Sequence, residues 1–374
     1  MAENGPDNGP KVQLEADAYA SAGVDTAEAG QALDGLVAIL KTIDPGRPAS
    51  SVVGSGHYAS VLALDERTGV ALCTDGVGTK LIVAEQAGRL DTVGIDCVAM
   101  NVNDLICVGA EPRAMVDYIA VERGDPEVLT AIARGLKAGA EQAGIEIPGG
   151  ELAQLPEMVR GHPSPHGLDL VGAAVGIVQL DRVVTGARVA PGDALIGLPS
   201  TGLHSNGFTL ARRVLLAQGG LSLDDAPAEL GRTLADELLE PTAIYVRAVL
   251  ELLRSSVDVR GLAHITGDGM LNLLRLNSEV GYEIGEPLAA QPVFALIQAL
   301  GGLHEAEMHE VFNMGTGFVC VVPEDDAGDA LALLGRHFPP AAAIGRVTAE
   351  AGTVVLTKAG LAGYRDGFRA SGRA

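Results

Sequence analysis

Residues 72–83 read LCTDGVGTKLIV, and the fold around them turns on what this stretch is. The apolar run 70–73 has the composition of a buried strand. It ends in Asp75, Gly76, Gly78, Thr79 and Lys80 before apolar residues resume. Glycines at a strand end let backbone N–H groups approach an anion closely, an ammonium neutralises that anion, and a carboxylate can hold a cation. Taken alone, a tight turn with an N-capping Asp explains the same letters. The GxxxxGK[ST] spacing of a Walker loop is absent.

Working outward, two short alternating runs, 61–64 and 70–73, flank Asp65-Glu66-Arg67-Thr68-Gly69 and predict a β-hairpin. Before them a helical pattern runs from Asp25 (Ala29, Ala32, Leu33, Leu36, Val37, Leu40) to a stop at Asp44-Pro45-Gly46. After them the pattern predicts a long helix over 92–108 and a strand over 113–121. A helix follows with Asp125 as N-cap and Pro126 at its first position. Next come a short strand over 145–147, a turn at Pro148-Gly149-Gly150 and a strand over 170–178. A turn-rich passage, 182–191, separates this half from a second strand–helix series that begins at Ala194. There the patterns predict helices near 206–216, 233–239, 242–253 and 293–300, and strands near 262–265, 317–322 and 344–347. The expected architecture is two-domain α+β or α/β. Residues 1–18, polar and rich in Gly, Pro, Asn and Asp, form a disordered tail, and 19–181 and 182–374 form the two domains.

With 374 residues, 47% hydrophobic, the chain can build a sizeable core. Its 48 acidic against 26 basic residues give a formal charge of −22, which repels a nucleic-acid backbone or an anionic membrane surface. An anionic ligand therefore has to be held by local devices, and Lys80 is one of only five lysines. Cys73, Cys97, Cys107 and Cys320 lack CxxC spacing and sit in apolar contexts, as reduced core residues do. The apolar segments are too short to span a bilayer and residues 1–10 lack the order of a signal peptide, so the expected location is the cytoplasm.

Further polar residues fall on apolar elements. On the helix containing 95–106, Asp96 and Asn103 project within roughly 20° of one another and Asp104 roughly 80° away. The rest of that helix is apolar, so these carboxylates need partners. The plain alternatives are capping of neighbouring turns or pairing with Arg113 or Arg123. Glu151 follows the glycines of Pro148-Gly149-Gly150. Four acids, Asp75, Asp96, Asp104 and Glu151, would repel one another if clustered, whereas Mg²⁺ favours their ionised forms. A site for Mg²⁺ and a nucleoside triphosphate accounts for them economically. Residues 200–207 (STGLHSNG) offer hydroxyls and N–H groups at a helix start, with His204 as a further donor. No acid stands near His204 in sequence to complete a hydrolase triad. The glycine turns at 264–269 and 313–317 are equally well explained as loop reversals. The GxGxxA match at 54–59 runs into the hairpin and not into a helix, which sets a dinucleotide fold aside.

These residues in this order resemble the phosphoribosylformylglycinamidine cyclo-ligase (aminoimidazole ribonucleotide synthetase) family. The match covers residues 19–25, CTDGVGTK, GIDCVAMNVNDLICVGAEP, PGGE, STGLHSNG, HITGDG and VFNMGTG. The resemblance implies ATP-dependent ring closure of formylglycinamidine ribonucleotide in purine synthesis, with ATP and Mg²⁺. It implies a homodimer pairing its N-terminal sheets into a β-barrel, ATP near that interface, and a C-terminal α/β domain closing over the substrate. It places Asp75, Asp104 and Glu151 on the metal. It places Gly76, Gly78, Thr79, Lys80 and Asn103, with Asp75, against the nucleotide. Lys80, Asp96 and His204 become catalytic, with Asp96, Asn103 and His204 facing the substrate. Two departures stand out: Leu152 where the family often has Thr, and Asp268 where the HITGGG turn has glycine. Alternatives are a small-molecule kinase of the thiamine-monophosphate kinase type and a non-catalytic nucleotide-binding homologue. A selenophosphate synthetase lacks its cysteine here, since none precedes Cys73, and a hydrogenase maturation factor lacks its terminal one.

Overall fold

The computed structural model describes residues 26–371 except Arg47 and Ala49, so the tail expected over 1–18 lies outside the described residues. Helix α1 (Thr26–Leu40) leads into a six-stranded sheet of order β1-β2-β3-β6-β4-β5. Its strands are β1 (Ser51–Val53), β2 (Ser60–Ala63), β3 (Thr68–Gly76), β4 (Glu111–Val121), β5 (Glu146–Gln154) and β6 (Leu168–Gln179). The expected hairpin is β2–β3, antiparallel, with Ser60 opposite Leu72.

Alternation divides this sheet into two unlike faces. Ala71, Leu170, Gly172, Ala174 and Met115 are buried on the inner face, whereas Leu72, Val116 and Tyr118 are 42%, 45% and 40% exposed on the outer one. The inner face is covered by α3 (Val93–Cys107), which follows the shorter α2 (Lys80–Ala87). Gly172 permits the close approach: a Cβ there would lie 2.6 Å from the Asn101 amide nitrogen. Helix α4 (Pro126–Ala143), capped by Asp125 accepting from Glu127 N–H, crosses α3 where Gly94 meets Gly135.

Pro148-Gly149-Gly150 is not a turn, because β5 runs straight through it. The strand lies at the sheet edge, where the N–H that proline lacks is not needed. Its register against β4 slips between Ala114 and Val116, a bulge that absorbs the irregular residues.

The second half builds an eight-stranded sheet of order β14-β13-β12-β9-β11-β7-β10-β8. Its strands are β7 (Ala194–Pro199), β8 (Gly261–His264), β9 (Gly281–Ile284), β10 (Thr316–Val322), β11 (Ala342–Thr348), β12 (Val354–Leu356), β13 (Leu361–Tyr364) and β14 (Gly367–Ala370). The helix expected over 206–216 is α5 (Phe208–Arg212), continuing as a π turn over Arg213–Gln218. Next come α6 (Leu234–Leu238) and α7 (Val246–Leu253). Helix α7 begins later than the pattern suggests because 242–245 is held by α3. No described helix is long and apolar enough to cross a membrane, and all four cysteines are free.

Candidate active site

Strand β3 and helix α3 bring two of the predicted acids to one place. Asp75 ends β3 with its side chain on the inner face, where its carboxylate accepts from Gly76 N–H (2.7 Å) and the Asn101 amide donates to its carbonyl (3.1 Å). Burial, and next the charge of Asp104, push the Asp75 carboxyl up to about 6. Asp104 is 2.9 Å from Nδ1 of His264, a fully buried residue at the end of β8. Nδ1 then carries the ring proton, and Nε2 faces the Asn103 amide at 3.5 Å.

About two turns earlier on α3, at Asp96, a second cluster forms. Lys80, fully buried, donates to Asp96 Oδ1 (2.9 Å) and to the carbonyls of His204 (3.0 Å) and Glu240 (2.7 Å). Asp96 Oδ1 also accepts from Thr242 N–H (2.8 Å) and Oγ1 (2.7 Å), while Oδ2 is buried without a partner. Asn103 donates to the Ala243 carbonyl (2.8 Å) and accepts from Tyr245 N–H (3.0 Å). Asp96 and Asn103 thus grip the same segment, 242–245, as their shared helix face requires. Burial drags the Lys80 pKa down against the pull of Asp96.

His204 has a left-handed backbone (φ 62°) and accepts from Thr201 N–H at Nε2 (3.1 Å), leaving Nδ1 buried without a partner. Burial first, and then the neighbouring His264 and Lys80, lower its pKa well below the usual histidine value, so the ring is neutral. Its ring packs beside Gly317, where a Cβ would come within 2.6 Å of it and 2.0 Å of the Tyr245 hydroxyl. Thr79 reaches the start of α5 through Thr209 (3.1 Å between hydroxyl oxygens).

A cleft of about 1300 Å³ is walled by Gly56 of the first half and by Gly267, Asp268, Arg275 and Arg365 of the second. Asn272 shapes the turn on that wall: its Oδ1 accepts from Thr266 N–H (2.8 Å) and its Nδ2 donates to the Gly267 carbonyl (3.1 Å). The Arg275 guanidinium stands near enough to Asp75 for its charge to favour that carboxylate.

Residues 56–178 match the family described as AIR synthase related protein, N-terminal domain, and residues 190–358 match its C-terminal domain. Similar proteins named phosphoribosylformylglycinamidine cyclo-ligase come from Methanothermobacter thermautotrophicus (48% identical, 82% of this chain and 87% of that one) and Thermococcus kodakarensis (47%, 89% and 96%). The chain belongs to the phosphoribosylformylglycinamidine cyclo-ligase family. Its fold is shared with the hydrogenase maturation protein HypE, solved in complex with ATP (TM-score 0.56, 22% identity, 79% of this chain and 83% of that one). It is also shared with thiamine-monophosphate kinase from Stenotrophomonas maltophilia (0.57, 21%, 87% and 95%).

Within this cyclo-ligase framework the expected site residues divide into three groups. Asp75, Gly76, Gly78 and Thr79 form the loop at the end of β3, with Gly78 at φ 70°, and Asp104 joins Asp75. Lys80, Asp96, Asn103 and His204 form the buried contact between the halves. Glu151 stands apart. The cross-strand row through Asp75 runs Gly172, Asp117, Gly150, whereas Glu151 pairs with Tyr118, itself opposite Val171, on the outer face. It is three strand spacings, about 14 Å, from Asp75 and on the opposite side. Among the described residues no three His, Cys, Asp or Glu side chains converge on one point. The expected trio of metal acids is therefore not assembled within one chain, because β6 and β4 lie between β3 and β5.

Lys80, expected against the nucleotide, is held in this structure by protein groups. In this arrangement its three donors are spent on Asp96 and two carbonyls, so none is free for a phosphate. The buried carboxylate on α3 claims the ammonium. His264 enters the sequence reading only as the head of the glycine turn 264–269, with no site role, and Thr242, Asn272 and Arg275 carry no signal there. His264 and Asp104 are 160 residues apart, so no local spacing announces the pair.

The acid pair fits a hard divalent cation. Asp75 and Asp104 are oxygen ligands, and a cation between them would relieve the repulsion and burial that raise the Asp75 carboxyl.

Proposed function

We propose that the chain closes the imidazole ring of formylglycinamidine ribonucleotide, using ATP, to give 5-aminoimidazole ribonucleotide, ADP and phosphate. The observation that carries this reading is the meeting of Asp75 and Asp104 at the glycine loop that ends β3. Family membership at 46–48% identity to proteins named for this reaction supports it. The chain resembles the thiamine-monophosphate kinase only in fold, which leaves the kinase reading without a specific observation.

An amide oxygen is a poor leaving group. Transfer of the γ-phosphoryl group to the formyl oxygen gives an iminophosphate; the amidine nitrogen then adds to that carbon, and phosphate departs with the C–O electrons as the nitrogen loses its proton. Mg²⁺ held by Asp75 and Asp104 would spread the phosphoryl charge. The protein's own part is positioning, which can be worth roughly 7–11 kcal/mol when two reacting groups are held together. Gly76 and Gly78 keep side chains away from the anion. Lys80 acts as a positioning residue, tying the loop after β3 to the carbonyls of His204 and Glu240. His204, neutral and with Nδ1 unpaired, is the donor we assign to the oxygen being phosphorylated. Turnover of His204→Ala within a few-fold of the parent would remove it from that role.

The assembly we propose is a homodimer formed through the outer face of the six-stranded sheet, on which Leu72, Val116 and Tyr118 are exposed. Glu151 lies on that face, so pairing the sheets carries it into the interface and offers a third acid from assembly. The deciding assay mixes protein, Mg-ATP and formylglycinamidine ribonucleotide and measures ADP and 5-aminoimidazole ribonucleotide. Equal amounts of the two products are expected. Phosphorylation of thiamine monophosphate in their place would overturn the reading.

A further inference from the structure

The 3₁₀ turn Gly269–Arg275 ends in a cation that faces the cleft and is lightly engaged. Arg275 is 39% exposed, and its guanidinium lies over the Tyr58 ring, 5.3 Å from the centroid. Tyr58 is itself buried and fixed, its hydroxyl donating to the Asn272 carbonyl (3.0 Å). The stacking sets the guanidinium plane in advance, which lowers the ordering cost of receiving a ligand. Its carboxylate partner is Asp268 Oδ2 at 3.5 Å, on a side chain that is 60% exposed. That separation is too long for the short charge-assisted bonds arginine makes with a committed carboxylate. Asp268 also occupies a left-handed backbone position (φ 69°), where glycine is the unstrained choice.

We infer that Arg275 binds a phosphate group of a substrate in the cleft and that Asp268 competes with that phosphate for the guanidinium. A chain of net charge −22 repels anions at long range, so a phosphate entering this cleft needs a preset cation, and Arg275 and Arg365 are the arginines on its wall. Planar N–H pairs of a guanidinium match two phosphate oxygens. Asp268 engages the guanidinium only at 3.5 Å, and an incoming phosphate with more negative charge and better geometry displaces it. The group can belong to ATP or to the ribonucleotide, and the identity of that second substrate rests on the function proposed above.

Three variants test the inference: Arg275→Ala, Arg275→Lys and Asp268→Asn, each first checked for parent-like thermal unfolding. In steady-state assays with each substrate varied in turn, Arg275→Ala should raise one KM by about tenfold or more with kcat within about threefold, and Arg275→Lys should fall between it and the parent. Asp268→Asn should lower the same KM by about two- to fivefold. The KM that responds identifies the phosphate: that for ATP assigns the nucleotide, that for the ribonucleotide assigns its 5′-phosphate. Both KM values within about twofold of the parent in Arg275→Ala, or a rise of KM in Asp268→Asn, overturns the inference. Should the parent show no ring closure, calorimetric titration with inorganic pyrophosphate still decides. Binding about tenfold weaker in Arg275→Ala upholds the anion site, and equal binding discards it.

Discussion

Burying an ammonium costs several kcal/mol unless every donor is met, and Lys80 meets that condition with one carboxylate and two carbonyls. Replacing it by methionine fills similar volume but leaves Asp96 charged and buried, with Oδ2 already unpaired. Lys80→Met should therefore lower the unfolding free energy by about 3–5 kcal/mol, measured by urea titration. A variant as stable as the parent but inactive would return Lys80 to phosphate binding. Asp75 makes the opposite case. Its carboxyl is raised to about 6 in the folded chain, above the ordinary value of about 3.9, so the native state binds more protons between those values. Ionising it opposes folding: the deficit is absent below about pH 4, grows to about pH 6 and is complete above. Without Mg²⁺, Asp75→Asn should be more stable than the parent by about 1–2 kcal/mol at pH 7.5, after discounting for its partial exposure, and equal to it near pH 4. Added Mg²⁺ should stabilise the parent alone. Calorimetric scans across pH check both halves of this expectation.

At the scale of elements, the crossing of α3 and α4 depends on glycine against backbone. A Cβ on Gly94 would lie 2.2 Å from Leu136 N, and one on Gly135 2.4 Å from the Asp91 carbonyl. Since neither neighbour is a side chain that can swing away, Gly94→Ala should cost about 3 kcal/mol, seen as a lowered denaturation midpoint. Because α3 also carries Asp96, Asn103 and Asp104, the shift should reduce activity as well. Much of this half was legible in the sequence, because α3, the hairpin and β6 are long or strongly alternating: the helix expected over 92–108 spans Val93–Cys107. The common direction of Asp96 and Asn103 was legible for the same reason. Pro148-Gly149-Gly150 misled because an edge strand tolerates residues that end a central one. Strands β12 to β14 are three or four residues each, too short for a period to register. The partners of the polar groups were illegible because they are tertiary: Lys80 finds the carbonyl of Glu240, 160 residues away.

At the scale of the whole molecule, the outer face of the first sheet predicts the state of assembly. The double variant Val116→Asp/Tyr118→Glu places two charges on that face and should sediment as a monomer at concentrations where the parent is a dimer. A monomeric parent would discard the proposed pairing. If Glu151 completes the metal site through assembly, the monomeric variant should also need more Mg²⁺ for half-maximal rate. Within one chain, the grip of Asp96 and Asn103 on residues 242–245 imposes an order on synthesis. Asp96 leaves the ribosome 146 residues before Thr242, and Asn103 leaves 142 residues before Tyr245. Until Tyr245 emerges, Asp96 and Asn103 have nothing to close on, so the early half waits with a wet, unfinished surface. A gene divided near residue 190 would make that wait permanent for each fragment unless both were produced together.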